Sequence, residues 1–136
     1  MISKISQILF VITIIGMLSS CEKNTKQKLQ EHVAFYNSAA SNFKGEHITN
    51  TTARGYINDS KIELRIETDL PQNEANKLEA SKTFPDLLTE MIKKDQVSKE
   101  LVEENVQFDV YFLADDNTVL AKEIINKEEI SKFLKK

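Results

Sequence analysis

Few side chains in this chain can do covalent or acid–base chemistry, and their spacing decides which reactions they could serve. There is one cysteine, Cys21, and the only histidines are His32 and His47. A hydroxyl or thiol nucleophile needs an activating base held beside it, and no Gly-x-Ser-x-Gly occurs to build such a site. Beyond Gly16 the glycines are Gly45 and Gly55, too few for a loop that cradles phosphate. His32, Glu46 and His47 match no standard zinc spacing and read as surface residues. Asp115-Asp116-Asn117 lacks the glycine and the closing glutamate of an EF-hand loop and reads as a turn. Glu103-Glu104 reads as a solvated helix end. A hydrolase built on carboxylates alone would need two acids, such as Glu63 and Asp109, in one cleft. These residues call for no catalytic set, no metal and no cofactor.

What Cys21 does depends on the segment before it. Met1-Ile2-Ser3-Lys4 is a short positive start, and Ile8 to Leu18 is almost unbroken apolar sequence. That run is well short of the about 20 residues a spanning helix needs, so it reads as a cleaved export signal. Leu18-Ser19-Ser20-Cys21 then resembles the lipobox of bacterial lipoprotein precursors. The resemblance covers residues 1–21. It implies that the Cys21 thiol takes a diacylglycerol by a thioether bond. It also implies that signal peptidase II recognises Leu18, Ser19 and Ser20 and cuts before Cys21, and that the new amino terminus is acylated, for example by palmitate. The partner of Cys21 is then membrane lipid, and the location is the cell envelope, at the outer membrane if the envelope is Gram-negative. Lipidation would also remove a free thiol from an oxidising compartment, and two or three chains exceed the marginal hold of a single one. Asn50-Thr51-Thr52 has the form of a glycosylation acceptor, a reading that lapses in a bacterial lipoprotein.

The expected layout is a signal peptide over 1–20, the lipidated cysteine and a short tether over 21–28, and a single small domain over 29–136. Lys4 is the only charge in the leader, so its loss moves the formal charge from −3 to −4. Without a basic patch or an aromatic–arginine cluster, nucleic acid is excluded as a partner. The tether carries Lys23, Lys26 and Lys28, which could meet anionic headgroups or simply be solvated.

The elements that must position everything else are legible from hydrophobic period. Leu29, Val33, Tyr36, Ala40 and Phe43 form one helical face, with Gly45 placed to end the helix. The threonine-rich 46–58 segment reads as an edge strand and Asn58-Asp59-Ser60 as a turn. Lys61 to Glu67 alternates strictly, as a half-buried strand does. A helical region over about 73–94 contains Pro85, which predicts two helices meeting near Thr83–Phe84. Ser98 to Glu104 adds a helical turn. Val106 to Ala114 and Thr118 to Ile125 read as a hairpin, and Asn126 with Glu129 opens a last helix. The fold class is therefore α+β in the order α-β-β-α(α)-β-β-α. The expected architecture is a four-stranded, mostly antiparallel sheet with helices on one face.

The other sheet face would meet solvent. Alternation turns Arg65, Asp109, Tyr111 and Leu113 toward it, and Tyr and Arg are enriched at interface hot spots. Cross-strand pairing, with Arg65 balancing Asp109, is the structural alternative. The functional expectation is a non-enzymatic, membrane-anchored module binding another envelope protein or a ligand through this face. A structural accessory of an envelope complex and a carboxylate-based hydrolase are the alternatives.

Overall fold

A computed structural model describes residues 24–43 and 45–134. The leader, Leu18, Ser19, Ser20 and Cys21 lie outside the described residues. Helix α1 (Thr25–Ser38) opens at Asn24 in a reciprocal capping box. The Asn24 Oδ1 accepts from the Gln27 backbone N–H at 2.8 Å, and the Gln27 Oε1 accepts from the Asn24 N–H at 3.3 Å. Residues 25–28, read as tether from the sequence, therefore form the first turn of this helix. The helix also ends earlier than the apolar stripe implied. At Ala39 the backbone N–H bonds Phe35 and Tyr36 carbonyls, and the chain tightens into a 3-10 turn over Ala40–Asn42. Phe43 still reaches the core edge, but from this turn and not from the helix face.

Strands β1 (Ile48–Tyr56) and β2 (Lys61–Thr68) form an antiparallel hairpin across a short 3-10 turn, with Ser60 in the left-handed region at φ 50°. Helix α2 (Glu74–Lys93) follows, then α3 (Lys99–Glu103), β3 (Gln107–Leu113), β4 (Val119–Ile125) and α4 (Ile130–Leu134). The sheet order is β1-β2-β3-β4. Both outer pairings are antiparallel and the central β2/β3 pairing is parallel, which is why the helical α2–α3 segment must cross between them. The four-stranded, mostly antiparallel α+β architecture is as the sequence implies.

Pro85 does not divide α2. It sits inside one continuous helix of 20 residues. An interior proline costs about 3 kcal/mol, whereas each large apolar side chain buried contributes about 1.5–3 kcal/mol. Phe84, Leu88, Met91 and Ile92 all bury their side chains from the turns around Pro85. Burial of that shared face outweighs the lost hydrogen bond, so the helix runs through.

Register divides the sheet cleanly. Toward the helices, Ile62, Leu64 and Ile66 of β2 stand beside Phe108, Val110 and Phe112 of β3. All but Phe112 are sealed from solvent. Helix α1 lies directly on the β1 backbone at Gly55, where an added Cβ would come within 2.9 Å of Leu29. His32 on α1 packs edge-on against Phe108, with ring centroids 5.6 Å apart, and its Nε2 lies 2.8 Å from the Gln96 carbonyl oxygen.

Candidate functional site

On the sheet face away from the helices, cross-strand rows gather the residues predicted from alternation. One row runs Thr52, Arg65, Tyr111, Lys122 and the next Arg54, Glu63, Asp109, Ile124. Arg65 and Tyr111 are half-buried neighbours, and the Lys122 ammonium stands 5.1 Å from the Tyr111 ring centroid. Asp109 and Leu113 share this side of the sheet but are 5% and 1% exposed. Asp109 is covered by its neighbours: Gln107 donates to its Oδ1 at 2.7 Å, and the Lys61 ammonium lies 3.6 Å from its Oδ2. Its charge is thus balanced by Lys61, while Arg65 stands opposite Tyr111. Glu63 and Asp109 are register partners on this face, and neither lines the clefts described below.

The other chemically suggestive residues are engaged locally. The Asp116 carboxylate accepts from the Thr118 hydroxyl at 2.6 Å and from its backbone N–H at 3.1 Å, closing the β3–β4 turn. Those bonds hold its carboxyl below the usual range. Glu104 accepts from the Lys28 ammonium and the Thr25 hydroxyl, each at 2.7 Å, so it ties α1 to α3. The pairing raises the Lys28 pKa and lowers that of Glu104. His47 holds φ 70°, with its Nδ1 2.9 Å from the Asp69 Oδ1. Among the described residues no three or more His, Cys, Asp or Glu side chains gather to hold a metal.

A second surface, which alternation could not reveal, lies along α2. The residues Asn76, Glu79, Ala80, Thr83, Leu87, Glu90, Met91 and Lys94 recur at helical spacing on one side of this helix, and all of them line clefts. The first cleft, of about 420 Å³, is bounded opposite α2 by Glu46, His47, Leu70 and Phe112. The second, of about 340 Å³, is bounded by Phe43, Gly45 and Ile48. They succeed each other along α2, with Thr83 in the first and Leu87, one turn on, in the second, and they share no lining residue. Together the two clefts are the α2 seam.

Along the seam the core is left incompletely closed. Phe43, Ile48, Leu70, Leu87 and Phe112 are only partly buried, although each packs on the core. Phe112 stacks at a tilt on Phe84, with centroids 5.6 Å apart. The sequence signal for this surface is Phe43 and Ile48, apolar residues flanking a polar stretch, but their alignment with α2 is purely tertiary.

No helix among the described residues is long and apolar enough to cross a membrane. No family model matches the chain, and no curated protein matches it. Among solved structures, the type II secretion system pilotin AspS from Vibrio cholerae is matched at 14% sequence identity, over 75% of this chain and 94% of that chain, with a TM-score of 0.39.

Proposed function

We propose that this protein is a non-enzymatic, lipid-anchored binding module of a bacterial envelope, held at the membrane through Cys21 and engaging another envelope protein along the α2 seam. The observation that carries the binding reading is the set of five core side chains left half-covered in the two clefts along α2. A concave surface with an apolar floor and a few polar groups at its rim is the usual form of a binding site. The lipobox Leu18-Ser19-Ser20-Cys21 supports the anchor. The uncovered sheet face is the second reading, favoured by the Arg65–Tyr111–Lys122 row, in which an aromatic ring is flanked by two cations.

Two measurements test this. Mass spectrometry of the mature amino terminus should find diacylglycerol and acyl chains on Cys21; an unmodified cysteine or an uncut leader would overturn the anchor. A photo-crosslinking residue placed at Thr83, on the seam, and at Arg65, on the sheet face, should capture a defined envelope protein from position 83. Capture from position 65 alone would transfer the site to the sheet face, and capture from neither would remove the binding role.

A further inference from the structure

We propose that the domain holds one buried water between α1, β1 and the 95–97 link, where it takes the hydroxyl proton that the Tyr36–Thr51 pair leaves over and bridges it to the side-chain amide of Gln96. This site lies inside the domain and is independent of what the seam binds.

The Tyr36–Thr51 pair has one proton more than its own bond can use. The phenol and the hydroxyl lie 2.6 Å apart, and the two residues are 4% and 1% exposed. Each hydroxyl carries a single proton and can also accept. The bond between them consumes one proton, whichever of the two donates. The second is buried with no acceptor among the described residues. A buried donor without a partner is costly, and native interiors leave few of them.

Room for an acceptor lies beside the pair. Tyr36 and Thr51 line a cavity of about 20 Å³ that they share with Ala39, Ala40, Phe43 and Gln96. Roughly 10–15 Å³ is enough to hold one water, so the cavity admits a water and excludes any larger ligand. An apolar cavity stays dry, whereas a held water needs about two to four polar partners. The two hydroxyls are the first of these and Gln96 supplies the next. The Gln96 backbone is fixed from both sides: its N–H donates to the Met91 carbonyl at 2.8 Å, and its carbonyl accepts from the His32 Nε2 at 2.8 Å. Its side-chain amide makes no hydrogen bond among the described residues. The water accepts the spare hydroxyl proton and donates to the amide oxygen of Gln96. Phe43 and Gln96 also line the second cleft along α2, so the hydrated cavity adjoins that cleft.

Water-selective NOE and ROE spectra of the mature protein in detergent micelles test the site. A held water should give NOEs of the sign of slow tumbling to the Ala40 and Thr51 methyl groups. Hydroxyl protons that exchange with solvent can relay the same signals, which makes Ala40→Val the discriminating variant. Its added methyl groups fill the cavity and leave both hydroxyls in place, so the water signal at the Thr51 methyl should be lost. Gln96→Met keeps the length of the side chain without its amide and should weaken that signal severalfold. Absence of the signals in the wild type, their survival in Ala40→Val, or indifference to Gln96→Met would overturn the proposal. Amide spectra check that each variant is folded. Should Ala40→Val disturb the fold, a crystal structure of the wild type decides: a water at about 2.7–3.2 Å from either hydroxyl supports the site, and a cavity that is dry or filled by a side chain overturns it. Neither result bears on capture from positions 83 and 65, so the binding role is judged separately.

Discussion

At the scale of single residues, the structure separates groups that look reactive from groups that hold the fold. Tyr36 illustrates this. It is a sealed phenol, 4% exposed, sharing a 2.6 Å hydrogen bond with the Thr51 hydroxyl across the α1–β1 contact. Burial pushes its pKa up to about 12. The sign follows from which state holds the proton. Between the ordinary tyrosine value of about 10 and the folded value, the native state keeps a proton that the unfolded chain loses, so stability falls as pH rises. Denaturant titrations at pH 9 and at pH 12 should therefore show a loss of about 2–3 kcal/mol from this residue. Tyr36→Phe should remove that part of the pH slope. At neutral pH the same variant should cost about 1–2 kcal/mol, because the Thr51 hydroxyl is left buried without its partner. A variant whose alkaline slope matches the wild type would show that Tyr36 is not the titrating group.

At the scale of elements, the edge strands show how neighbours change what a strand can do. β1 is exposed at one edge of the sheet, yet α1 covers part of that edge with one side chain. The Asn37 amide donates to the Ala53 carbonyl at 3.0 Å and accepts from the Ala53 N–H at 2.7 Å, replacing a further strand at that position. An open edge invites pairing with another chain. Asn37→Ala should cost about 1–2 kcal/mol for the two lost hydrogen bonds and raise the tendency to self-associate, read as a concentration-dependent shift in light scattering. An unchanged melt with no association would show that water serves Ala53 equally well. The elements themselves were largely legible, and the reasons differ. β2 reads cleanly because its residues alternate strictly between half-buried and buried along the whole strand. β3 reads as a strand, but Asp109 and Leu113 defeat the assumption that outward means exposed, since burial on a sheet face depends on which long side chains stand beside it. Pro85 signals a break that four buried apolar residues override. The parallel β2/β3 pairing and the α2 seam depend on contacts between distant segments, which no local period records.

At the scale of the whole molecule, the placement of α1 decides which end of the domain a lipid on Cys21 would bring to a membrane. If Cys21 carries the lipid, only Glu22 and Lys23 separate it from the Asn24 cap, and three residue steps reach at most about 11 Å. The start of α1 is in turn fixed to α3 through Lys28, which pairs with Glu104 at 2.7 Å and Glu100 at 3.0 Å. Asn24 and Thr25 share a cleft with Ile57 and Ser60, so the turn between β1 and β2 belongs to the tethered end. The eight residues of β2 then carry the chain about 26 Å away, at about 3.3 Å per residue, to the end where Asp69 pairs with His47. Glu46 and Glu79 lie in the cleft at that far end, which a lipid on Cys21 would hold away from the headgroups. With Cys21 lipidated as proposed, an introduced cysteine is the one free thiol of the chain, which makes this measurable. In lipidated protein, a fluorophore on Asn58→Cys should be strongly quenched by headgroup quenchers and one on Gln72→Cys much less. Inserting a flexible linker of about a dozen residues before Asn24 should erase that difference while leaving the protein in the membrane fraction, since such a linker reaches roughly 20 Å on average. Equal quenching at both positions with the native tether would mean that the domain tumbles freely above the bilayer, and that the short link from Cys21 to α1 sets distance but not orientation.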